Sequence, residues 1–153
     1  MKKELEEEVQ FRFANILLTS KTVKELNVLN AIIDLRNINF TFTINFETKI
    51  SVDIKNVIIN VHILINEVAA DGAITMVSEF KISNFFEIIN FDKVIKLNKD
   101  GLYVVPPNFE NIIRPASIST ARGIIYSELL GTYLQGVIMP IVYMDTFKPL
   151  VTE

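Results

Sequence analysis

Cysteine is absent from the 153 residues, which removes disulfides and every thiolate metal site. Histidine is nearly so. His62 is the single one, and the usual zinc sets of His and Cys cannot be built from it. No run approaches the roughly 18 continuous apolar residues that a membrane-spanning helix needs. The P-loop, G-x-G-x-x-G and G-x-S-x-G patterns do not occur. Clustered Lys and Arg are missing as well. The formal net charge is −3 and the sequence pI about 5.3, a balance that disfavours a phosphate backbone as partner and favours partners of basic character. The first residues, Met1-Lys2-Lys3-Glu4-Leu5-Glu6-Glu7-Glu8, have neither the apolar core nor the small-residue cleavage site of a signal peptide. The expectation is a soluble, cytoplasmic chain that uses no cofactor or metal and inserts into no membrane.

Apolar character is what the chain has in surplus. Half the residues are hydrophobic and the mean hydropathy is +0.34. With no span to put it in, this surplus lines a subunit interface or is offered to a ligand. The length is that of about one domain. We read residues 1–153 as one unit: a charged arm at 1–8, a sheet at 9–91, a helix at 109–130 and an apolar C-terminal segment at 131–153. No internal repeat is visible.

Periodicity predicts an α+β fold, a four-stranded antiparallel sheet followed by one long helix. Val9 to Leu18 reads as a first strand, with Val9, Phe11 and Phe13 on one face, until Ile16-Leu17-Leu18 breaks the alternation. Residues 19–38 read as an irregular crossover. Within it Thr22-x-x-Glu25 has capping-box spacing and predicts a short helix from Val23 to about Leu29. Phe40 to Ile54 is the clearest signal. Phe40, Phe42, Ile44, Phe46, Ile50, Val52 and Ile54 alternate with polar residues, the mark of a half-buried strand. A two-residue turn at Lys55-Asn56, a third strand over Val57–Val68, a type I′ turn at Asp71-Gly72 and a fourth strand from Ala73 complete a meander. Pro106 and Pro107 exclude a central strand there. From Phe109 to Leu130 the pattern is helical, closed by Gly131 in the left-handed conformation.

The helix has two stripes. Ile118, Ala121, Ile125 and Leu129 should pack on the sheet. Opposite them lie Ala116, Thr120, Gly123 and Ser127, all small, a row that lets two helices approach closely. Gly123 costs about 1 kcal/mol against alanine in a helix interior, so a contact between subunits is expected along this stripe. Beyond Gly131, the segment Tyr133 to Tyr143 is unusually apolar for the end of a chain and must dock on something or be offered to something.

Catalytic sets are hard to assemble from these residues, and no enzymatic activity is expected. A lone mid-strand histidine is usually structural. Asp92, Asp100 and Glu110 could do acid–base work in principle, but loop carboxylates are solvated by default. The Phe, Tyr and Met content, by contrast, suits an adaptable apolar binding surface.

The C-terminal third carries a resemblance. Ala121-Arg122, then Gly131-Thr132-Tyr133, then Met139-Pro140-Ile141 stand in the order and at spacing similar to that of the SecB family of export chaperones, which this chain resembles, and Asp145-x-Phe147 looks like that family's Asp-x-Leu-Phe region. Upstream the likeness is one of layout: a strand, a long crossover, a three-strand meander and a proline-containing loop into the helix. The resemblance implies a homotetramer or dimer of dimers, with Ala116, Thr120, Gly123 and Ser127 near the packing of the first helices. It implies an ATP-independent holdase for unfolded polypeptides or preproteins, with Tyr133, Val137, Ile138, Met139, Ile141 and Tyr143 lining the client groove. It also implies delivery to the SecA motor of the Sec translocase, with Glu79 about where the family has an acidic contact. The family's second helix and acidic tail are largely missing before Glu153, which weighs against SecA handover. A SecB-fold adaptor or partner-dedicated chaperone, as in toxin–antitoxin-linked members, is the alternative. A small-ligand carrier would instead need an enclosed pocket with convergent polar groups.

Overall fold

A computed structural model describes residues 8–25 and 38–142. Four long strands form one antiparallel sheet: β1 (Phe11–Val23), β2 (Asn39–Ser51), β3 (Asn56–Val68) and β4 (Ile74–Ile88), in the order β1-β4-β3-β2. The chain therefore crosses from one sheet edge to the other between Val23 and Asn39, and the meander then returns strand by strand to β1. A one-turn helix α1 (Phe91–Val94) and a small hairpin of β5 (Lys96–Leu97) and β6 (Tyr103–Val104) lead into the long helix α2 (Pro107–Leu129). The predicted α+β layout is the one observed.

One face of the sheet meets α2. On β3 the alternation is complete: Val57, Ile59, Val61, Ile63 and Ile65 are buried. Phe80, Ile82, Phe86 and Ile88 of β4 extend the same layer. Over it lie Phe109, Ile113, Ile118, Ala121, Ile125 and Leu129 of α2, all buried. At roughly 1.5–3 kcal/mol for each fully buried large apolar side chain, this layer dominates folding. Helix α2 starts with Pro107 in its first turn, where a missing N–H is harmless and the fixed φ suits the helix. It stops where Gly131 takes φ +78, a conformation that favours glycine.

Local differences from the sequence reading have physical causes. Strand β1 runs to Val23 and carries two register shifts, at Phe13/Asn15 and Leu18/Ser20. Each bulge turns the following side chains to the other face, which is why the alternation fails at Ile16-Leu17-Leu18. Thr22 pairs with Glu79 inside the sheet, so it caps no helix. The remainder of that predicted helix, at 26–29, lies outside the described residues. Strand β2 ends at Ser51, which pairs with Asn56, and residues 52–55 form the turn with Lys55 at φ +52. Between β3 and β4, Ala69 N donates to Ala73 O (2.8 Å), Gly72 has φ +85, and Asp71 keeps a negative φ. This is a three-residue loop with glycine in the left-handed position, not the predicted type I′ turn. The fourth strand is one unbroken run to Ile88.

Among the described residues no helix is long and apolar enough to cross a membrane. Nor does any group of three or more His, Cys, Asp or Glu among them converge as metal ligands would.

Candidate functional site

Strand β2 lies at the sheet edge. All thirteen of its residues pair in unbroken register with β3 on one side. Among the described residues no strand lies on its other side. Its core-side row, Phe40, Phe42, Ile44 and Phe46, is only half-buried and packs at the margin of the core. Its opposite row, Thr41, Thr43, Asn45 and Glu47, is exposed. An edge of this kind presents unpaired N–H and C=O groups beside apolar side chains.

The segment after α2 supplies the second wall. Thr132 Oγ1 donates to Leu129 O (2.7 Å) and accepts from Leu134 N (3.1 Å), which fixes the turn. Leu134, Val137 and Met139 then point into the core. Arg122 Nε donates to Met139 O (3.1 Å) and holds the segment along the helix. Pro140 and Val142 come to face Phe40–Ile44 of β2, and between them lies an open groove of ≈ 560 Å³ lined by Phe40, Thr41, Phe42, Thr43, Ile44, Pro140 and Val142. Val142 packs against the core cluster, so it closes the groove on the core side. Helix α2 is tied to β2 by Thr48 Oγ1, which donates to Glu110 Oε1 (3.1 Å), while Arg114 grips the same carboxylate.

Of the residues expected to meet a client, Ile138 and Ile141 are 66% and 67% exposed, whereas Val137 and Met139 are buried and anchor the segment from within. Tyr133 is half-buried. Burial, and then the negative charge of Glu67, pushes its hydroxyl pKa above the ordinary range. Tyr143 lies outside the described residues. The β2 half of the groove was missed as a site. Its signal was the same alternation that marked the strand, but periodicity does not say which strand ends at the edge.

The small stripe of α2 faces away from the sheet. Gly123 and Ser127 are exposed, and Ala116 and Thr120 half-buried. Thr120 Oγ1 donates back to Ala116 O (2.9 Å). Exposed Ile112 and Tyr126 lie on the same helix, and exposed Leu130 directly follows it.

Glu79 sits on the sheet face opposite α2. His62 Nε2 lies 2.7 Å from its Oε1, and Lys81 Nζ lies 3.7 Å away. The hydrogen bond from His62 lowers the Glu79 pKa; desolvation, the next largest effect, opposes it, and the charge of Lys81 adds to the lowering. Nearby, Asn60 Nδ2 donates to Glu47 Oε2 (3.0 Å) and Ser83 Oγ donates to Asn60 Oδ1 (2.7 Å). Glu47, Asn60, His62, Lys81 and Ser83, with Asn45, line a shallow recess of ≈ 400 Å³, and Glu79 stands outside it. They form a polar ladder across β2, β3 and β4 in which each carboxylate already has a partner.

No family model and no curated protein sequence matches the chain. Among solved structures, it is similar to the Mycobacterium tuberculosis Rv1957 SecB-like chaperone, solved in complex with a ChAD peptide from the Rv1956 HigA1 antitoxin. The match has a TM-score of 0.57 at 10% identity, covering 86% of this chain and 90% of that one. The chain therefore has the SecB-like fold, the one its C-terminal motifs resemble.

Proposed function

We propose that this chain is a nucleotide-independent chaperone that holds extended apolar segments of non-native polypeptides. The observation that carries this reading is the groove along the free edge of β2, with apolar side chains on one strand row and Pro140 and Val142 across from it. An extended chain laid there gains main-chain hydrogen bonds at the edge and pockets for its side chains. Burying its apolar surface is worth roughly 25 cal/mol per Å². Tyr133, Ile138 and Ile141 supply further apolar surface on the same segment, and several weak contacts with one client add through avidity. Self-association through the small stripe of α2 would multiply such grooves in one particle. The test is light scattering of a chemically unfolded protein diluted into buffer without nucleotide. Suppressed aggregation at near-stoichiometric chaperone is expected, and aggregation at the unassisted rate would refute the proposal.

A second reading, a chaperone or adaptor dedicated to one protein, is favoured by the solved neighbour, whose bound ligand is a peptide from an antitoxin. It predicts selective capture that generic unfolded chains do not compete away. Delivery to the SecA motor through Glu79 is the least supported extension. His62 and Lys81 already engage that carboxylate, so a cationic partner would have to displace or join them.

A further inference from the structure

Between the buried Ile95 and Val105, every residue from Lys96 to Val104 is exposed. This is the hairpin of β5 and β6, which pairs with no strand of the main sheet. Its base is anchored, with the Tyr103 ring 6.4 Å from that of buried Phe91. Its tip is braced by one side chain. Asn98 Oδ1 accepts from Asp100 N and Leu102 N (2.9 Å each), and Gly101 N donates to Asn98 O (3.1 Å) with Gly101 at φ +76. A lone two-stranded hairpin is marginal in water, so this bracing holds a shape that would otherwise fray. What it presents is largely apolar: Leu97 and Leu102 are 56% and 65% exposed, and Tyr103 and Val104 are exposed as well. Leu97 stands opposite Tyr103, and Lys96 opposite Val104. Successive strand residues face opposite ways, so both faces of the hairpin carry apolar side chains. Lys93 of α1, Lys96 and Lys99 stand with them against Asp100, while Asp92 is already paired with Lys55 (2.7 Å). This local positive excess occurs in a chain whose net charge is −3.

We propose that this hairpin seats the chain on an anionic lipid surface. A partner protein of fixed shape would have to enclose both faces of the projecting tip, whereas a bilayer closes around it without a complementary shape. Leu97, Leu102 and Val104 enter the boundary between headgroups and acyl chains. The Tyr103 phenol stays at headgroup level, where amphipathic rings collect. The lysine ammonium groups reach the lipid phosphates over their own alkyl stems. From its base to Gly101 the hairpin extends roughly 15 Å at the rise of a strand, enough for the depth of about 5–10 Å that an interfacial contact takes. No segment spans the bilayer in this contact, and attachment through a few apolar side chains and lysines is reversible. The inference goes beyond the holding function and does not rest on it.

The test is co-sedimentation of the full chain with vesicles of phosphatidylcholine, alone or mixed with phosphatidylglycerol. Binding to the mixed vesicles is expected, weakening as salt is raised. Leu102→Ser should weaken it at least about tenfold, the effect of keeping one leucine out of the apolar layer. Lys96→Gln combined with Lys99→Gln should weaken it about thirtyfold, at roughly fivefold for each lysine near the surface. Ile74→Ser removes an equally exposed side chain at the far end of β4 and should bind as the parent chain does. Because the chain has no cysteine, Leu102→Cys carrying an environment-sensitive fluorophore reads the site directly. Its emission should shift to the blue with mixed vesicles, and the same label on Ile74→Cys should not shift. No sedimentation with mixed vesicles, or binding that Leu102→Ser leaves intact, would overturn the inference. If Leu102→Ser instead lowers the mass in solution, a second copy covers the hairpin. If it abolishes suppression of aggregation, the hairpin belongs to the client surface. Either result would overturn the assignment to lipid.

Discussion

Replacing Gly123 by alanine separates the fold of α2 from its surface role. In a helix interior glycine costs about 1 kcal/mol against alanine. Nothing within the described chain requires it at this position, since a Cβ built there meets no atom within 4 Å and the residue is exposed. At a protein concentration low enough to keep wild type dissociated, Gly123→Ala should therefore raise stability by about 0.5–1 kcal/mol. For a chain of this size that is a shift in Tm of roughly 2–4 °C per kcal/mol. If the stripe of Ala116, Thr120, Gly123 and Ser127 packs against another copy, the same methyl group intrudes between two closely approaching backbones, and self-association should weaken. Gly123→Leu should abolish it and leave the sheet folded. Sedimentation velocity over a concentration series reads the second effect, and thermal denaturation by circular dichroism reads the first. Unchanged mass in both variants would refute the role given to the stripe. A lower Tm for the dissociated Gly123→Ala chain would refute the open placement of this helix face.

The C-terminal segment offers a paired test, because Met139 is buried while Ile138 beside it is exposed. Met139→Ala should cost about 2–5 kcal/mol in urea unfolding, and Ile138→Ser less than about 0.5 kcal/mol. Tyr133→Asp places a charge beside the apolar wall and near Glu67, so affinity for an unfolded client should fall, read by anisotropy; unaltered affinity would remove Tyr133 from the binding surface. The lowered pKa of Glu79 means that its contribution to stability is present above about pH 4.5 and is lost as pH falls through its folded-state value. His62→Leu, by removing the largest cause of that shift, should move the Glu79 titration upward in a carboxyl-detected NMR pH series, and an unmoved titration would show that the hydrogen bond does not govern it.

Much of the fold was legible because period-two alternation over Phe40–Ile50 and Val57–Ile65, and helical spacing over Ile118–Leu129, each report a face turned to the core. The places that misled are those where one residue changes the period. The two bulges of β1 hid that strand's continuation to Val23. Gly72 alone in the left-handed conformation made a three-residue loop look like a two-residue turn. The candidate site was legible only in part. The apolar segment after Gly131 stood out because chain ends are seldom so apolar. Which of its residues point inward depends on the turn fixed by Thr132 and on the grip of Arg122 on Met139, and neither is visible in a hydrophobic pattern. The β2 wall depends on strand order, which links β1 to β4 across the whole domain.

The unequal edges of the sheet carry a consequence for solubility. A protein that captures strands along one edge is itself a template, and copies adding β2 to β1, head to tail, would extend into an open fibre. Strand β1 breaks that propagation. Its two irregularities twist and bend the edge that a neighbour's β2 would have to match residue for residue. The β2 edge is regular and the β1 edge is not, so a chain that takes up a strand as proposed would not itself be taken up as one. Removing the extra residue at either bulge, Ala14 or Thr19, should make the chain fibre-prone, with thioflavin fluorescence rising on incubation where the parent chain stays clear.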